Sequence, residues 1–255
     1  MIGIGIGIPG SSLSAGGSVD YNAAIAAKIG NGDAWTLDEA ELTYTFTGVV
    51  NGVVLTDYNE DTAVPTGLLG NARQPTTGAS DIGCADQGVA APATSALSVV
   101  LWISPSTTLD LTSGAQPIVL ANDTRTLLGV EQTQGAGTAY IVATCDTVEG
   151  SSQSTSAYLV SDSGFQHVAV VRTAAGFSLY INGALAESVA VTSGHTYVGG
   201  TGDYMDCCMG TQHIPTGRSC LPPIDEVLVA HGALTADEVA WLYNGGAGRS
   251  MMVFA

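Results

Sequence analysis

Hydrophobic and polar residues alternate along most of the chain with a period of two, the period of a β-strand that buries one face. Such runs recur about every ten residues and are separated by Gly, Asn, Asp and Thr. Two of them, 165–173 and 177–191, flank a turn at 174–176, and a second turn is expected at Asn182-Gly183. An Asn-Gly pair between apolar runs is a strong hairpin signal. The pattern therefore predicts an all-β fold, an antiparallel two-sheet β-sandwich.

Two stretches have helical periodicity instead. The first covers 18–30, where Ser18 is the predicted N-cap, apolar residues recur four apart and Gly30 can end the helix. In the second, Thr235 and Glu238 have the spacing of a capping box, which predicts a helix over 235–244, packed on the edge of the sandwich. We therefore expect short helices before and at the end of a β domain that spans 31–246.

The chain opens with MIGIGIGIP, in which Ile2, Ile4, Ile6 and Ile8 alternate with glycine. In a strand these four side chains share one face, and the other face is bare backbone that a neighbouring sheet can approach closely. Such a strand would aggregate if it were left uncovered, so its own domain or a partner should cover it. The Gly- and Ser-rich linker that follows favours strand addition to a partner subunit. Residues 1–17 are therefore predicted to be an assembly arm, and residues 247–255 a C-terminal tail.

Charge is sparse and one-sided. The sequence has 6 Lys and Arg against 23 Asp and Glu, a formal net charge of −17. So few cations argue against nucleic acid as a partner, because phosphate contacts depend on Lys and Arg. The opening segment lacks the basic residues of a secretory signal, and no apolar run reaches the roughly 18 residues of a membrane span. We therefore expect synthesis in a reducing cytoplasm and no membrane insertion.

The stretch GFQHVAVVRTAAGFSLYINGALAES resembles the central hairpin of laminin-G-like, concanavalin A-like jelly-roll domains, which carry W-H-H-V-A, an arginine and then L-Y-[IV]-N-G. Phe165 and Gln166 depart from that pattern, whereas His167 and Arg172 match it. IDEVLVAHGALTADEVAWLYNGG looks like the closing strand and helix of the family, and AWTLDEA like its opening strand. The resemblance implies a jelly roll over residues 31–246, with His167 as a half-buried, hydrogen-bonding ring. A fold of this kind hosts many functions.

The opening GIGIGIP resembles the starts of tailed-phage proteins that carry such domains. This implies a structural virion protein of a tailed bacteriophage (head-decoration, head-fibre or tail-associated) that is assembled in the host cytoplasm. Its partners would be other virion proteins or copies of itself. The alternative is a carbohydrate-binding adhesion module, secreted or displayed on a cell surface, that binds cell-surface glycans. Sugar binding needs exposed aromatic rings, and the candidates are Tyr58, Tyr197 and Tyr204.

Catalysis is the least favoured of the functions considered. Glycoside hydrolases of this shape place carboxylates at alternate positions of one strand, and a retaining pair lies about 5 Å apart. The stretch LDEAELTY offers Glu39 and Glu41 at alternate positions, but Asp38 and Glu39 match the opening motif of the family, which is not catalytic. Asp225 and Glu226 are adjacent and should face opposite sides of their strand. We therefore expect a protein that is not an enzyme.

A calcium site is the one metal site that the resemblance favours. Several sandwiches of this type hold one structural calcium between their first and last strands, and Asp225 of the IDEV motif is the position carried over as a ligand. Asp38 or Glu39 could approach it, because the first and last strands of a jelly roll pair, and Ca²⁺ prefers carboxylate oxygens. The alternative is that Asp225 only hydrogen-bonds a neighbouring turn.

Five cysteines, an odd number, leave the pairing of the thiols open. Cys207, Cys208 and Cys220 lie close in sequence to His213, and three thiolates with one imidazole could hold zinc. The spacing is not a familiar zinc pattern, however. A disulfide from Cys220 to Cys207 or Cys208, or free thiols, is therefore favoured over a zinc site.

Overall fold

The structure is a computed structural model of the 255-residue chain. It describes residues 19–40, 45–57, 62–75, 81–83, 89–90, 96–105, 115–122, 125–135, 138–146, 152–160, 164–192, 204–210 and 222–255. Several positions singled out from the sequence lie outside these ranges, namely Ile2, Ile4, Ile6, Ile8, Ser18, Tyr58, Tyr197, His213 and Cys220, and so does a further cysteine, Cys84.

Strands make up most of the described residues, with one short helix before them and another after them. The strands are β1 Asp33–Trp35, β2 Thr45–Thr47, β3 Val54–Asp57, β4 Thr62–Ala63, β5 Gln74–Pro75, β6 Asp81–Gly83, β7 Val89–Ala90, β8 Leu97–Ile103, β9 Ala115–Asn122, β10 Arg125–Gly135, β11 Thr138–Asp146, β12 Ser152–Ser154, β13 Tyr158–Val160, β14 Gln166–Thr173, β15 Gly176–Ile181, β16 Ala184–Ala190, β17 Tyr204–Gly210 and β18 Ile224–Ala230. The helices are α1 Tyr21–Ile29 and α2 Ala236–Tyr243, and 3₁₀ turns follow at Asn244–Gly246 and Met251–Phe254.

Two large antiparallel sheets form the body of the described chain. Sheet I has the strand order β1-β18-β8-β14-β15-β16. Sheet II has the order β12-β11-β10-β9-β17-β6-β3-β2, with β13 beside β11 and β7 beside β17, and β4 pairs with β5 separately. The first described strand, β1, pairs with the last, β18. This arrangement confirms the all-β sandwich predicted from the alternation.

Both hairpin turns predicted from the sequence are present. β14 and β15 pair from Val168↔Ile181 to Thr173↔Gly176, and β15 continues into β16 through Asn182-Gly183. Asn182 and Gly183 have φ of 50° and 75°. A two-residue turn with positive φ at both positions matches the twist of the strands, and Asn and Gly adopt it at little cost.

The core between the sheets consists of alternate residues from facing strands. Leu97, Val99 and Leu101 of β8 contribute from sheet I, and Phe46 and Leu55 contribute from sheet II. The intervening residues of β8 are buried as well, so that all seven residues of this strand are inaccessible. A strand buried on both faces reads as a continuous apolar run, which is what SVVLWI shows.

The face of sheet I that points away from sheet II, here called the outer face, is covered by the two helices. Val100 and Leu228 of sheet I pack against Ile25 of α1 and against Val239 and Leu242 of α2. The prediction that the second helix packs on the edge of the sandwich is therefore wrong. α2 lies on a sheet face, because that face is itself apolar and needs a cover.

Caps define where the helices begin. Thr235 Oγ1 accepts a hydrogen bond from the Glu238 amide at 3.3 Å, and Glu238 Oε2 accepts one from the Thr235 amide at 2.6 Å, which confirms the predicted capping box. The predicted N-cap at Ser18 is wrong: Asp20 caps α1 by accepting from the Ala23 amide. Ser and Asp cap equally well, so residue type alone does not distinguish them. In the described part of the chain, no helix has the length and apolar character needed to cross a bilayer.

Candidate functional site

A groove lies on the outer face of sheet I, where β14, β15 and β16 run beside the residues that precede α2. Its volume is about 360 Å³, within the range of small-molecule sites. The lining residues are Val171, Thr173, Ala175, Gly176, Phe177, Ser178, Tyr180, Ser188, Val189, Ala190 and Leu234.

Gly176 allows one end of this groove to close. The φ of Gly176 is 148°, and a Cβ at this position would lie 2.0 Å from the carbonyl oxygen of Val189. Only glycine permits β16 to approach β15 this closely at the start of the hairpin. Two residues farther along β15, Ser178 stands opposite Ser188 of β16.

Hydroxyl groups and one aromatic ring supply the polar chemistry of the groove. The Oγ atoms of Ser178 and Ser188 are 2.7 Å apart, and Thr173 Oγ1 accepts from the Ala175 amide at 3.2 Å. Tyr180 is 8% exposed, and burial raises the pKa of its phenol, so the hydroxyl keeps its proton at neutral pH. None of the described residues that line the groove carries a charge. The groove can therefore hold a small uncharged ligand with both apolar and hydroxyl surface.

Sequence reasoning missed Tyr180 as a candidate because it was assigned to the fold motif of the hairpin. The available signal was the alternation, which places Ser178 and Tyr180 on one face of β15. The predicted ligand residue Tyr204 begins β17 and pairs with Ala90, so it belongs to sheet II and not to the groove. Tyr58 and Tyr197 stay predictions, because they lie outside the described residues.

Asp225 lies in a buried row across the outer face of sheet I, beside Trp102 of β8, which in turn is beside His167 of β14. The side chain of Asp225 is fully buried. Its Oδ2 accepts hydrogen bonds from the amides of Leu68 at 2.8 Å and Leu69 at 3.1 Å, and its Oδ1 has no partner among the described residues. The hydrogen-bonded turn that was the alternative to calcium is thus present at Oδ2.

A bulge places a second carboxylate beside Asp225. The register of β18 shifts between Asp225 and Leu228, and Glu226 has a φ of 47°. Glu226 Oε2 accepts from the Met251 amide at 2.5 Å, while its Oε1 has no partner in the described part of the chain. The expectation that the two acids face opposite sides of the strand is wrong, because the bulge breaks the alternation. Both side chains hold segments that cover the outer face.

Burial governs the protonation of this pair. Burial, with a smaller contribution from the nearby charge of Asp38, raises the pKa of Asp225 to about 7. Burial likewise raises the pKa of Glu226 to about 8, with smaller contributions from Asp225 and Asp38. Because an ionised carboxylate loses its hydration here, both groups favour the protonated form in the folded protein.

The other two predicted calcium ligands, Asp38 and Glu39, lie near Asp225, and both contact the segment that contains Asn71 and Arg73. Asp38 is exposed, and its Oδ1 accepts from the Asn71 amide at 2.8 Å. Burial raises the pKa of Glu39, whose backbone carbonyl accepts from Arg73 at 2.6 Å. Across the residues that the structure describes, no three His, Cys, Asp or Glu side chains are arranged to hold a metal ion. The calcium site of Asp225, Asp38 and Glu39 stays a prediction.

The thiols are described only in part. Cys145 lies in the core between the sheets, where burial raises the pKa of its thiol to about 11. Cys207 and Cys208 are consecutive residues of β17, at its pairing with β9. Cys84, Cys220 and His213 lie outside the described residues, so the expectations for a disulfide and against zinc stay predictions.

His167 differs from its expectation. It is fully buried, and neither ring nitrogen has a hydrogen-bond partner among the described residues. The ring packs against Trp102 with centroids 5.1 Å apart and against Tyr243 at 5.8 Å. Burial lowers the pKa of His167 to about 3, so the ring is neutral. The predicted half-buried, hydrogen-bonding ring is wrong because Tyr243, from the end of α2, covers this row.

The sequence matches the model of a known protein family whose fold agrees with the architecture described above. The family model Laminin_G_3, described as the concanavalin A-like lectin/glucanases superfamily, matches residues 77–240, more than half of the chain. The chain belongs to this superfamily. The match confirms the laminin-G-like and concanavalin A-like resemblance, and it carries no information on a virion. No curated protein matches the sequence.

Solved structures with the same fold come from toxins and enzymes. The binding domain of Paraclostridial Mosquitocidal Protein 1 is 12% identical, with a TM-score of 0.60 over 84% of this chain and 52% of that one. The ligand-binding domain of botulinum neurotoxin serotype D, solved with N-acetylneuraminic acid, is 15% identical, with a TM-score of 0.56 over 88% and 52%. This chain thus spans about half the length of those two, and the likeness shows the fold alone.

A third structure corresponds to a whole domain. Domain 4 of an extracellular arabinanase from Geobacillus stearothermophilus, in complex with arabinotriose, is 18% identical, with a TM-score of 0.54 over 85% of this chain and 97% of that domain. Domains of this superfamily are typically binding modules, although some, such as the arabinanase domain, are parts of enzymes.

Proposed function

We propose that the protein is a carbohydrate-binding module and that the groove on the outer face of sheet I is its sugar site. The observation that carries the proposal is the composition of the groove. Tyr180 and the hydroxyls of Thr173, Ser178 and Ser188 stand next to apolar side chains in an uncharged concave surface.

Sugars match this composition. One face of a sugar ring presents C–H groups that pack on aromatic and aliphatic side chains, and its rim presents hydroxyls that donate and accept hydrogen bonds. Ser and Thr hydroxyls can serve either role, and so can the protonated phenol of Tyr180. The hairpin and the glycine contact fix these groups on strands, so little conformational freedom is lost on binding.

The proteins with the same fold support this proposal. The arabinanase domain was solved with arabinotriose, and the serotype D toxin domain with N-acetylneuraminic acid. A non-enzymatic role is favoured because the two adjacent carboxylates, Asp225 and Glu226, are completely buried and bound to backbone amides of the covering segments. Carboxylates so enclosed cannot flank a glycosidic bond.

The test is binding of the full chain to an array of neutral and acidic oligosaccharides, with a variant that fills the groove. Ser188 is exposed on β16, so Ser188→Tyr should block the groove without unfolding the sheet. Thr47→Tyr, at an exposed position of β2 in sheet II, is the matched control. We expect the wild type and Thr47→Tyr to bind at least one glycan, and Ser188→Tyr to lose about tenfold or more in affinity, equivalent to about 1.4 kcal/mol. Equal binding by Ser188→Tyr would refute the groove as the site.

The virion function is a separate proposal. The attachment strand at Ile2, Ile4, Ile6 and Ile8 lies outside the described residues, so it rests on the sequence pattern and the resemblance alone. A sugar-binding domain and an assembly arm are compatible within one chain. The location of the protein, on a particle or at a cell surface, follows from whichever partner the arm binds.

A further inference from the structure

Within the part of the chain that the structure describes, the groove offers hydroxyl and apolar contacts but no positive charge. Its described side chains come from Ser, Thr, Tyr and apolar residues. Proteins often bind sugar carboxylates and sulfates through Arg or Lys, because a charge-assisted hydrogen bond from a cation replaces more of the lost hydration of the anion than a neutral hydroxyl does. An anionic sugar in this groove would lose water without gaining such a partner.

Two of the six cationic side chains are locked inside the sandwich. Arg73 is 1% exposed, its guanidinium carbon lies 4.7 Å above the ring of Phe46, and it donates to the Glu39 carbonyl. Arg172 is fully buried, with its Nη1 3.9 Å from the sulfur of Cys145. Neither can reach a ligand on the outer face.

Two further cations are held by other side chains. Lys28 forms an ion pair with both carboxylate oxygens of Glu238, at 2.8 and 2.6 Å. Arg249 lies 4.2 Å from the ring centroid of Trp241 and donates to the Trp241 carbonyl at 2.7 Å. The remaining two, Arg125 and Arg218, are not among the side chains that the structure describes.

The charge of the whole chain acts in the same direction. A formal net charge of −17 produces a negative potential that opposes the approach of an anionic glycan. At physiological salt the Debye length is about 8 Å, so this repulsion weakens as salt is added. Among the described residues, the groove thus supplies no cationic partner at contact, and the net charge of the chain opposes anions at a distance.

We infer that the site selects uncharged glycans and rejects sialylated, uronic and sulfated ones. This inference rests on the proposed sugar-binding function of the groove. It separates this chain from the serotype D toxin domain, which shares the fold and was solved with N-acetylneuraminic acid. Two domains with the same sandwich fold would thus bind different glycans, one uncharged and the other anionic.

The experiment compares neutral oligosaccharides with forms of the same oligosaccharides that carry one terminal N-acetylneuraminic acid, on an array and then by calorimetry at low and high NaCl. We expect the neutral members to bind and the sialylated members to bind at least about tenfold more weakly. The ratio of the neutral to the sialylated affinity should decrease as the NaCl concentration rises, because salt screens the repulsion. Equal or tighter binding of the sialylated members overturns the inference but leaves the proposed function standing. Binding of neither class overturns both.

A positive charge placed in the groove separates the effect of the missing cationic partner from the effect of the net charge of the chain. Ser188→Lys and Ala190→Lys, both at exposed positions of β16, add an ammonium group at the groove. Thr47→Lys adds the same charge at an exposed position of sheet II. We expect the two groove variants to recover sialylated binding severalfold, and Thr47→Lys to leave the ratio near that of the wild type. If all three variants change the ratio equally, overall charge alone sets it, and the role of the groove is overturned.

Discussion

At the scale of single residues, Asp225 and Glu226 couple the stability of the fold to pH. Each is buried, each holds a covering segment through one oxygen, and each has a second oxygen without a partner among the described residues. Burial raises their pKa values to about 7 and about 8, against ordinary values of 3.8 and 4.5. Folding therefore favours the protonated acids, and this contribution to stability is complete below about pH 4 and is lost as pH rises through 7 to 8.

We predict that the free energy of unfolding falls between about pH 5 and pH 8, by about 1.4 kcal/mol per pH unit for each acid that keeps its proton only when folded. His167 acts in the opposite direction, because a pKa of about 3 makes the folded state lose stability as pH falls below 6.5. Two acids outweigh one imidazole over most of this range. Urea unfolding at a series of pH values measures the slope.

Asp225→Asn and Glu226→Gln serve as variants for this prediction, because each removes one titrating group and keeps its shape. Each should reduce the slope by about one proton's worth. An unchanged slope in both variants would show that the acids are ionised in the folded state. Calcium bound at Asp225 would require the ionised carboxylate, so added calcium should then flatten the slope and chelation should restore it.

At the scale of elements, the contact between β15 and β16 closes the groove. Gly176 is the position where an added Cβ would meet the Val189 carbonyl oxygen at 2.0 Å. We predict that Gly176→Ala destabilises the protein by more than the about 1–2 kcal/mol expected for an L side chain at positive φ alone, because a backbone carbonyl must also move. Chemical denaturation measures the difference.

Gly164→Ala is the matched control, since Gly164 also has a positive φ, of 90°, but no atom lies within 4 Å of the added Cβ. It should show the conformational cost alone and leave glycan binding unchanged. If both variants lose the same stability, β16 is free to shift, and the closed end of the groove is not rigid.

The periodicity of the sequence predicted the strands and helices of this fold, but it did not predict which segments cover the outer face of sheet I. The β14–β15 hairpin, the Asn182-Gly183 turn and the capping box at Thr235 follow from local residue chemistry, which acts over a few positions. The burial of His167 and the placement of α2 on the outer face depend on contacts between residues far apart in the chain. No local pattern carries that information.

The candidate site was less predictable than the fold for a related reason. The groove forms only where β16 meets the residues before α2, and Leu234 and Ser188 are far apart in the sequence. A search for exposed aromatic residues therefore selected Tyr58, Tyr197 and Tyr204 and passed over Tyr180, which is part of a strand motif. The bulge at Glu226 could not be predicted either, because a pattern with a period of two does not show where an extra residue is inserted in a strand.

At the scale of the whole molecule, we propose that the predicted N-terminal arm, residues 1–17, turns a single domain into an assembly. In a strand the four isoleucines would share one face, and at roughly 1.5–3 kcal/mol each when buried they would be enough to hold the strand against a partner. We predict that the full chain self-associates and that a chain lacking residues 1–17 is monomeric on a sizing column, with its melting temperature unchanged. Ile4→Ser with Ile6→Ser should give the same result. An unchanged elution volume with a lower melting temperature would mean that the arm completes its own sheet.

Mapping of backbone amide shifts by NMR shows where on the molecule a glycan binds, and so tests whether the groove on the outer face of sheet I binds an uncharged glycan. The neutral oligosaccharide that binds best on the array is titrated into the isotope-labelled full chain. We predict saturable shifts that are concentrated at 171–180 and 188–190 and are absent in Ser188→Tyr. Shifts concentrated on sheet II, or shifts that persist unchanged in Ser188→Tyr, would contradict it.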